Sequence, residues 1–201
     1  MAMAALWLVV LTTFLSAGAC GLLLRSARHR QWVDHPDGPT GRKHHTTPTP
    51  NVGGIGITVA ILIPMALAAC LAWQAPTLAA WLAQHNWSDT YATHLPGLRA
   101  QLPALLLVMG AILAIHLLGV IDDRVRLGPW PKLLVQLAVA GLLAVLADMR
   151  VLQVIDHWGS AGYLASLMIT VLWITAIINA LNFMDNMDGL SAGVGMFCGA
   201  M

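Results

Sequence analysis

The chain has 201 residues, of which 58% are hydrophobic and only 9% charged, with a mean hydropathy of +0.74. A soluble domain carries about 25% charged residues, so a soluble core is excluded and an integral membrane protein is expected. The net charge of +1 says little by itself, but its distribution does. Glutamate is absent, so any carboxylate chemistry must come from the nine aspartates.

Crossing a bilayer takes about 20 apolar residues. Five stretches qualify, roughly 2–24, 53–73, 103–121, 132–147 and 162–182. A sixth begins near Leu190 and reaches Met201 without a polar flank, the pattern of an N-terminal fragment truncated at its C-terminus. The expected fold is therefore all-α: one polytopic membrane domain over 1–201, with five transmembrane helices and the start of a sixth. The first stretch lacks the basic n-region of a signal peptide and is long enough to span. Cys20, Cys70 and Cys198 lie in apolar runs without zinc or disulfide spacing and read as small buried residues.

Basic residues set the orientation. Arg25, Arg28, Arg30, Arg42 and Lys43 fall in the 25–52 loop, and Arg124, Arg126 and Lys132 in the 122–132 loop. The 74–102 loop has only Arg99 and the 148–161 loop only Arg150. By the positive-inside rule the first two loops are cytoplasmic and the N-terminus is outside. Trp32, Trp73, Trp130 and Trp158 fall near predicted helix ends, where interfacial tryptophans sit. The 74–102 loop has room for a short interfacial helix. Asp156-His157 reads as solvated turn material.

Polar groups at membrane depth are rare and usually functional. Asn179, Asn182, Asp185 and Asp188 recur every three residues where the fifth stretch ends, followed by Gly189-Leu190. On an α-helix each such step turns the face by about 60°, so neighbouring pairs share a face; a 3₁₀ turn would align more of them. Hard cations such as Mg²⁺ take carboxylate and amide oxygens and keep waters and substrate phosphates. The bland alternative is a helix cap with solvated aspartates, and two Asn plus two Asp exceed what a cap needs.

Asp122-Asp123 ends the third stretch, in Gly119-Val-Ile-Asp122-Asp123-Arg124. Adjacent carboxylates repel, which suits a metal site or a general base; the alternative is an interfacial helix stop. His116, seven residues before Asp123, returns to the same face about 10 Å along the axis. It serves either as a group below the acidic pair or, more simply, as an interhelical hydrogen bond in lipid. Lys132 and Gln136 are i,i+4 at the next helix start, where Lys132 either reaches a phosphate or snorkels. In the 34–56 loop, Arg42, Lys43, His44 and His45 form a cationic cluster suited to phosphate. Gly53-Gly54 at a helix start can turn backbone N–H groups toward an anion.

Four motifs thus occur in order: Arg42-Lys43-x-His45 with Pro48-x-Pro50-x-x-Gly53-Gly54; Gly119-x-x-Asp122-Asp123; Lys132-x-x-x-Gln136; and Asn179-x-x-Asn182-x-x-Asp185-x-x-Asp188-Gly189-Leu190. From about residue 34 onward the chain resembles the polyprenyl-phosphate N-acetylhexosamine-1-phosphate transferases, the superfamily of MraY, WecA and TagO. The Pro-x-Pro-x-x-Gly-Gly form is closer to the WecA/TagO branch. The resemblance implies transfer of N-acetylhexosamine-1-phosphate, GlcNAc-1-phosphate in that branch, from a UDP-sugar to polyprenyl (undecaprenyl) phosphate, with release of UMP. It implies a bacterial inner-membrane enzyme of cell-wall or lipopolysaccharide synthesis with a cytoplasmic active site. The expected cofactor is Mg²⁺, with Mn²⁺ as its substitute. The expected partners are the UDP-sugar, the polyprenyl phosphate lipid and the membrane, with a homodimer allowed and no nucleic acid.

Carried over onto this chain, Asp122 and Asp123 would be catalytic, and Asn182 and Asp185 would hold the metal. Arg42, Lys43, His45, Lys132, Asn179 and Asp188 would bind substrate. Two departures matter. Asn186 stands where the family usually has Gly, although Asn tolerates the left-handed turn. A later Gly-Asp motif and a His-rich loop expected in the family do not occur within the 201 residues, so these residues alone are expected to be inactive. The competing readings are an ion-coupled transporter, which predicts aspartates near mid-membrane, and a CDP-alcohol phosphotransferase. The latter's signature continues differently after Asp188-Gly189.

Overall fold

The structure, a computed structural model, describes residues 2–30, 33–34, 49–50, 53–84, 89–125, 127–184 and 190–200. These residues are almost wholly helical. The helices are α1 (Ala2–Arg30), α2 (Gly53–Trp73), α3 (Ala75–Gln84), α4 (Asp89–Ala100), α5 (Leu102–Val125), α6 (Pro129–Leu146), α7 (Ser160–Met184) and α8 (Leu190–Ala200). A 3₁₀ helix, Gln153–Trp158, precedes α7. Among the described residues, the one departure from an all-α fold is a two-residue antiparallel pair, Val33↔Pro50 and Asp34↔Thr49.

Among the described residues, four helices are long and apolar enough to cross a bilayer: Gly54–Trp73 within α2, and all of α5, α6 and α7. In α1 the corresponding apolar stretch is Val10–Ser26. A polytopic membrane bundle follows from length and composition. Large apolar side chains such as Leu67, Leu113, Leu134 and Leu172 are exposed along the spans, as lipid-facing residues are. Trp73, Trp130 and Trp158 are exposed near helix ends.

Residues 1–116 and 117–201 form two compact units. In the first, α1 and α2 pack closely because Gly56 is buried against the backbone of Cys20; a β-carbon there would collide with the Cys20 Sγ. The buried reading of the cysteines is corrected: Cys20 is half-buried, while Cys70 and Cys198 are exposed. A thiol on an apolar helix costs little against lipid, so burial is not required. The 74–102 region holds two helices, α3 and α4, rather than one.

In the second unit α6 begins at Pro129, earlier than its apolar run, because proline is tolerated in the first helical turn, where the N–H is unpaired anyway. Asp156-His157 is expected as solvated turn material, and at Asp156 the structure differs. Arg150 makes a two-pronged pair with Asp156, Nη1 to Oδ1 at 3.0 Å and Nη2 to Oδ2 at 2.9 Å. Its guanidinium carbon lies 4.2 Å from the centre of the Tyr163 ring, and the Arg150 side chain is only 5% exposed. Val151 is tied to α7 by both backbone groups. Its N–H donates to Thr170 Oγ1 at 2.9 Å, and its carbonyl accepts from Ser166 Oγ at 2.7 Å. Asp148 and Leu152 adopt left-handed backbone (φ 50° and 58°) to make this fold-back, a conformation uncommon outside glycine. Gly162 is required beneath it, since a β-carbon would strike the Ile155 carbonyl. Side-chain contacts spaced four apart on α7 thus fasten a short cap between α6 and α7.

Two outcomes follow. Thr170→Val keeps the shape but leaves the Val151 N–H without an acceptor. It should destabilise the protein by about 1–3 kcal/mol, read as a lowered thermal midpoint in detergent. The hydrogen bond from Arg150 holds the Asp156 carboxyl below its ordinary value of 3.8. A depressed carboxylate stabilises the fold at pH above its unfolded value and loses that contribution as pH falls through the folded one. Stability should therefore drop below about pH 4, and Asp156→Asn should flatten that acid limb of the unfolding curve.

Candidate functional site

The site is built on the ends of α5 and α7 and on one face of α6. Asp122 lies in the last turn of α5. A carboxylate there is opposed by the negative end of the helix dipole, so helix stability does not account for it. Both its oxygens are engaged. Oδ1 accepts the backbone N–H of Leu127 at 2.9 Å, and Oδ2 meets Lys132 Nζ at 2.6 Å. The two side chains are 28% and 30% exposed, so the pair stands at a surface still reachable by solvent or ligand. Asp123 is exposed, about 100° further round the helix.

One turn beyond Lys132 on α6 lies Gln136, only 6% exposed. Its Oε1 accepts from Asn179 Nδ2 at 2.6 Å, while the same nitrogen donates to the Thr175 carbonyl at 2.8 Å. Thr175 is 6% exposed, and its Oγ1 has no partner among the described residues. Thr175, Asn179 and Asn182 are spaced i, i+4, i+7 and so run along one face of α7. Asn182 is exposed, just before the helix ends at Met184. One face of α6 therefore touches both polar motifs, the α5 acid through Lys132 and the first α7 amide through Gln136.

Arg42, Lys43, His44, His45, Asp185 and Asp188 lie outside the described residues. Among the described residues, no group of three or more His, Cys, Asp or Glu comes together as a metal cluster. His116 hydrogen-bonds through Nδ1 to Thr58 Oγ1 at 3.0 Å, and a β-carbon at Gly54 would come to 3.9 Å from its ring. This is the interhelical bond of the simpler reading, and it belongs to the first unit. Sequence reasoning missed Thr175 and the partner of Gln136. The i, i+4, i+7 spacing of Thr175 with the two asparagines was the available signal.

The fold and this polar face define a polytopic membrane protein with an acid–lysine pair and an amide pair at its helix ends. Residues 105–201 match the model of glycosyl transferase family 4. A decaprenyl-phosphate N-acetylglucosaminephosphotransferase of Mycolicibacterium smegmatis is 32% identical over 162 residues, 79% of this chain and 35% of the relative. A protein of the same name from Mycobacterium leprae is 29% identical over 188 residues, 92% of this chain and 40% of the relative. A probable undecaprenyl-phosphate N-acetylglucosaminyl 1-phosphate transferase of Bacillus subtilis is 29% identical over 161 residues, 79% of this chain and 37% of the relative. The chain spans 35–40% of the length of these curated relatives. No solved structure matches it significantly. With the four ordered motifs, these matches make the chain similar to the polyprenyl-phosphate N-acetylglucosaminephosphotransferases over most of its own length.

The acid–lysine pair is testable as geometry. A double-mutant cycle with Asp122→Asn and Lys132→Gln should give a coupling of roughly 0.5 kcal/mol in thermal stability, the size of a partly exposed pair. Strict additivity of the two substitutions would mean that the pair does not form.

Proposed function

We propose that this protein transfers N-acetylhexosamine-1-phosphate, GlcNAc-1-phosphate in particular, from a UDP-sugar to polyprenyl phosphate. An oxygen of the lipid phosphate attacks the β-phosphorus of the UDP-sugar. The bond between the α- and β-phosphates breaks, UMP leaves, and lipid diphosphate-sugar remains. The relatives, a decaprenyl-phosphate and an undecaprenyl-phosphate N-acetylglucosamine phosphotransferase by name, support the polyprenyl phosphate and the N-acetylglucosamine. The observation that carries the reading is the Lys132–Asp122 pair, with Gln136–Asn179 one turn away on the same helix.

Such chemistry is mainly positioning and charge neutralisation. Lys132 is a cation held by a carboxylate at a surface. An incoming diphosphate competes for it, and each Lys132 bond transferred to phosphate releases an oxygen of Asp122. Asp122 and Asp123 then orient the lipid phosphate or take its proton. Arg42, Lys43 and His45 add phosphate contacts, and Asn179 and Asp188 contact the donor. Asn182 and Asp185 hold Mg²⁺, with Mn²⁺ able to replace it. The donor set fits a hard cation, since it is amide and carboxylate oxygen without sulfur. Asp122, with both oxygens engaged, is left out of it. When bound, the cation neutralises diphosphate charge.

Eight of the ten basic residues fall in the 25–52 and 122–132 loops, which supports an N-terminus outside and a site on the cytoplasmic face of a bacterial inner membrane. A lipid acceptor from the bilayer and a nucleotide donor from the cytoplasm meet only there. The product would serve cell-envelope polysaccharide synthesis.

The test is radiolabel transfer from UDP-GlcNAc to polyprenyl phosphate in membranes containing the natural full-length protein, with and without Mg²⁺. Asp122→Asn and Asp123→Asn should each lower turnover by at least about 100-fold. Lys132→Met should raise the KM for the UDP-sugar. Wild-type turnover by both aspartate variants would remove the acidic pair from the mechanism, and absence of transfer by the wild type would overturn the reading.

A further inference from the structure

The polarity of the Asn179 amide is fixed by its surroundings. The Thr175 main-chain carbonyl can only accept, so the group facing it must be the NH₂ of Asn179. The second hydrogen of that NH₂ goes to Gln136 Oε1 at 2.6 Å. Both amide hydrogens are then spent, one on α7 itself and one on α6. The Asn179 side-chain carbonyl accepts no hydrogen bond among the described residues, although the residue is exposed. Gln136 is 6% exposed, which is costly for a primary amide unless it is paired. Ordinary helix glue would use any polar pair in either orientation. Here a main-chain acceptor and a buried side-chain acceptor converge on one nitrogen and leave one orientation.

We infer that Gln136 is a positioning residue that locks Asn179 with its carbonyl oxygen turned outward to the ligand. The inference rests on the proposed transferase reading and deepens it, since it assigns Asn179 the role of an acceptor. The outward oxygen takes either a hydrogen-bond donor of the nucleotide, a ribose hydroxyl or the uracil N–H, or the bound divalent cation. Both demand an electron-rich oxygen, and an NH₂ in that place would repel either. Lys132, one turn away on the same face of α6, is committed to Asp122, so Gln136 is what fixes Asn179 from that helix.

The experiment uses the natural full-length protein in membranes and in detergent. Gln136→Met keeps the length of the side chain and removes the acceptor; Gln136→Glu keeps an acceptor oxygen. Gln136→Met should lose roughly 10-fold or more in kcat/KM per folded molecule. Gln136→Glu should recover most of it. Thermal-shift titrations of Gln136→Met with UDP alone and with Mg²⁺ alone name the outward ligand by which affinity falls. The inference is overturned if Gln136→Met keeps wild-type kcat/KM and both affinities. It is equally overturned if the variant only lowers the amount of folded protein while the folded fraction turns over normally. Failure of the wild type to transfer sugar phosphate would sink the transferase reading instead, and the UDP and Mg²⁺ titrations would still report on the lock.

Discussion

A carboxylate at the foot of an apolar helix has few ways to stay there, and the contact between Asp122 and Lys132 is the one on which the rest of the second unit depends. The α5 dipole opposes a negative charge in its last turn, and a charge near the hydrocarbon boundary is costly unless paired. The structure answers both demands locally. The Leu127 N–H satisfies one oxygen and the Lys132 ammonium the other. The short link between α5 and α6 is thereby closed twice, through backbone and through charge. The start of α6 is held against the end of α5 by polar contacts, although no described residue of α5 is buried.

From that anchor α6 acts as a ruler. Its apolar residues Val139, Ala140 and Ala144 are buried and pack toward α7, while Lys132 and Gln136 mark the two polar stations near its start. In lipid there is little hydrophobic drive to join helices, so small residues and polar bonds set the register. On α7 the buried positions are Gly162, Ser166, Thr170 and Thr175, small or hydroxylated in every case. The first three lie in or beside the Arg150–Asp156 cap, and Thr175 leads into Asn179. From Ser166 to Asn179 is about 20 Å along the axis. A fixed cap at one end and a fixed amide at the other leave α7 little freedom to slide against α6.

What was legible in the sequence was what depends on composition and on short spacing. The spans follow from apolar length, and α6 departs from its expected start only because prolines are welcome in a first turn. Lys132 and Gln136 share a face because i,i+4 residues must. Their partners were not legible, because Gln136 to Asn179 closes over 43 positions and no local rule names the far end. The Arg150–Asp156 cap was misread for a different reason. Its residue types, Asp, His, Gly and Arg, are those of any solvated turn, and only the left-handed backbone at Asp148 and Leu152 folds them onto Tyr163. The cysteines were misjudged because burial statistics from soluble proteins do not transfer to a helix whose outer solvent is lipid.

The mixture of amides and acids in the 179–190 motif has a physical logic under the proposed function. A site that must accept a UDP-sugar, a lipid phosphate and a divalent cation faces several negative charges from its ligands. Filling it with carboxylates alone would supply cation ligands but raise mutual repulsion and the cost of bringing phosphates in. Asparagine offers the same hard oxygen without the charge, and its neutral amide can be oriented by ordinary hydrogen bonds. Lysine at 132 balances the carboxylate it touches, so this corner is near neutral before a ligand arrives. Under that reading, neutrality here eases the entry of an anion, and the oriented amide oxygens are left for the cation or the donor groups that come with it. Under the proposed function, that division of labour gives a buried glutamine bonded to Asn179 a reason for its place in α6.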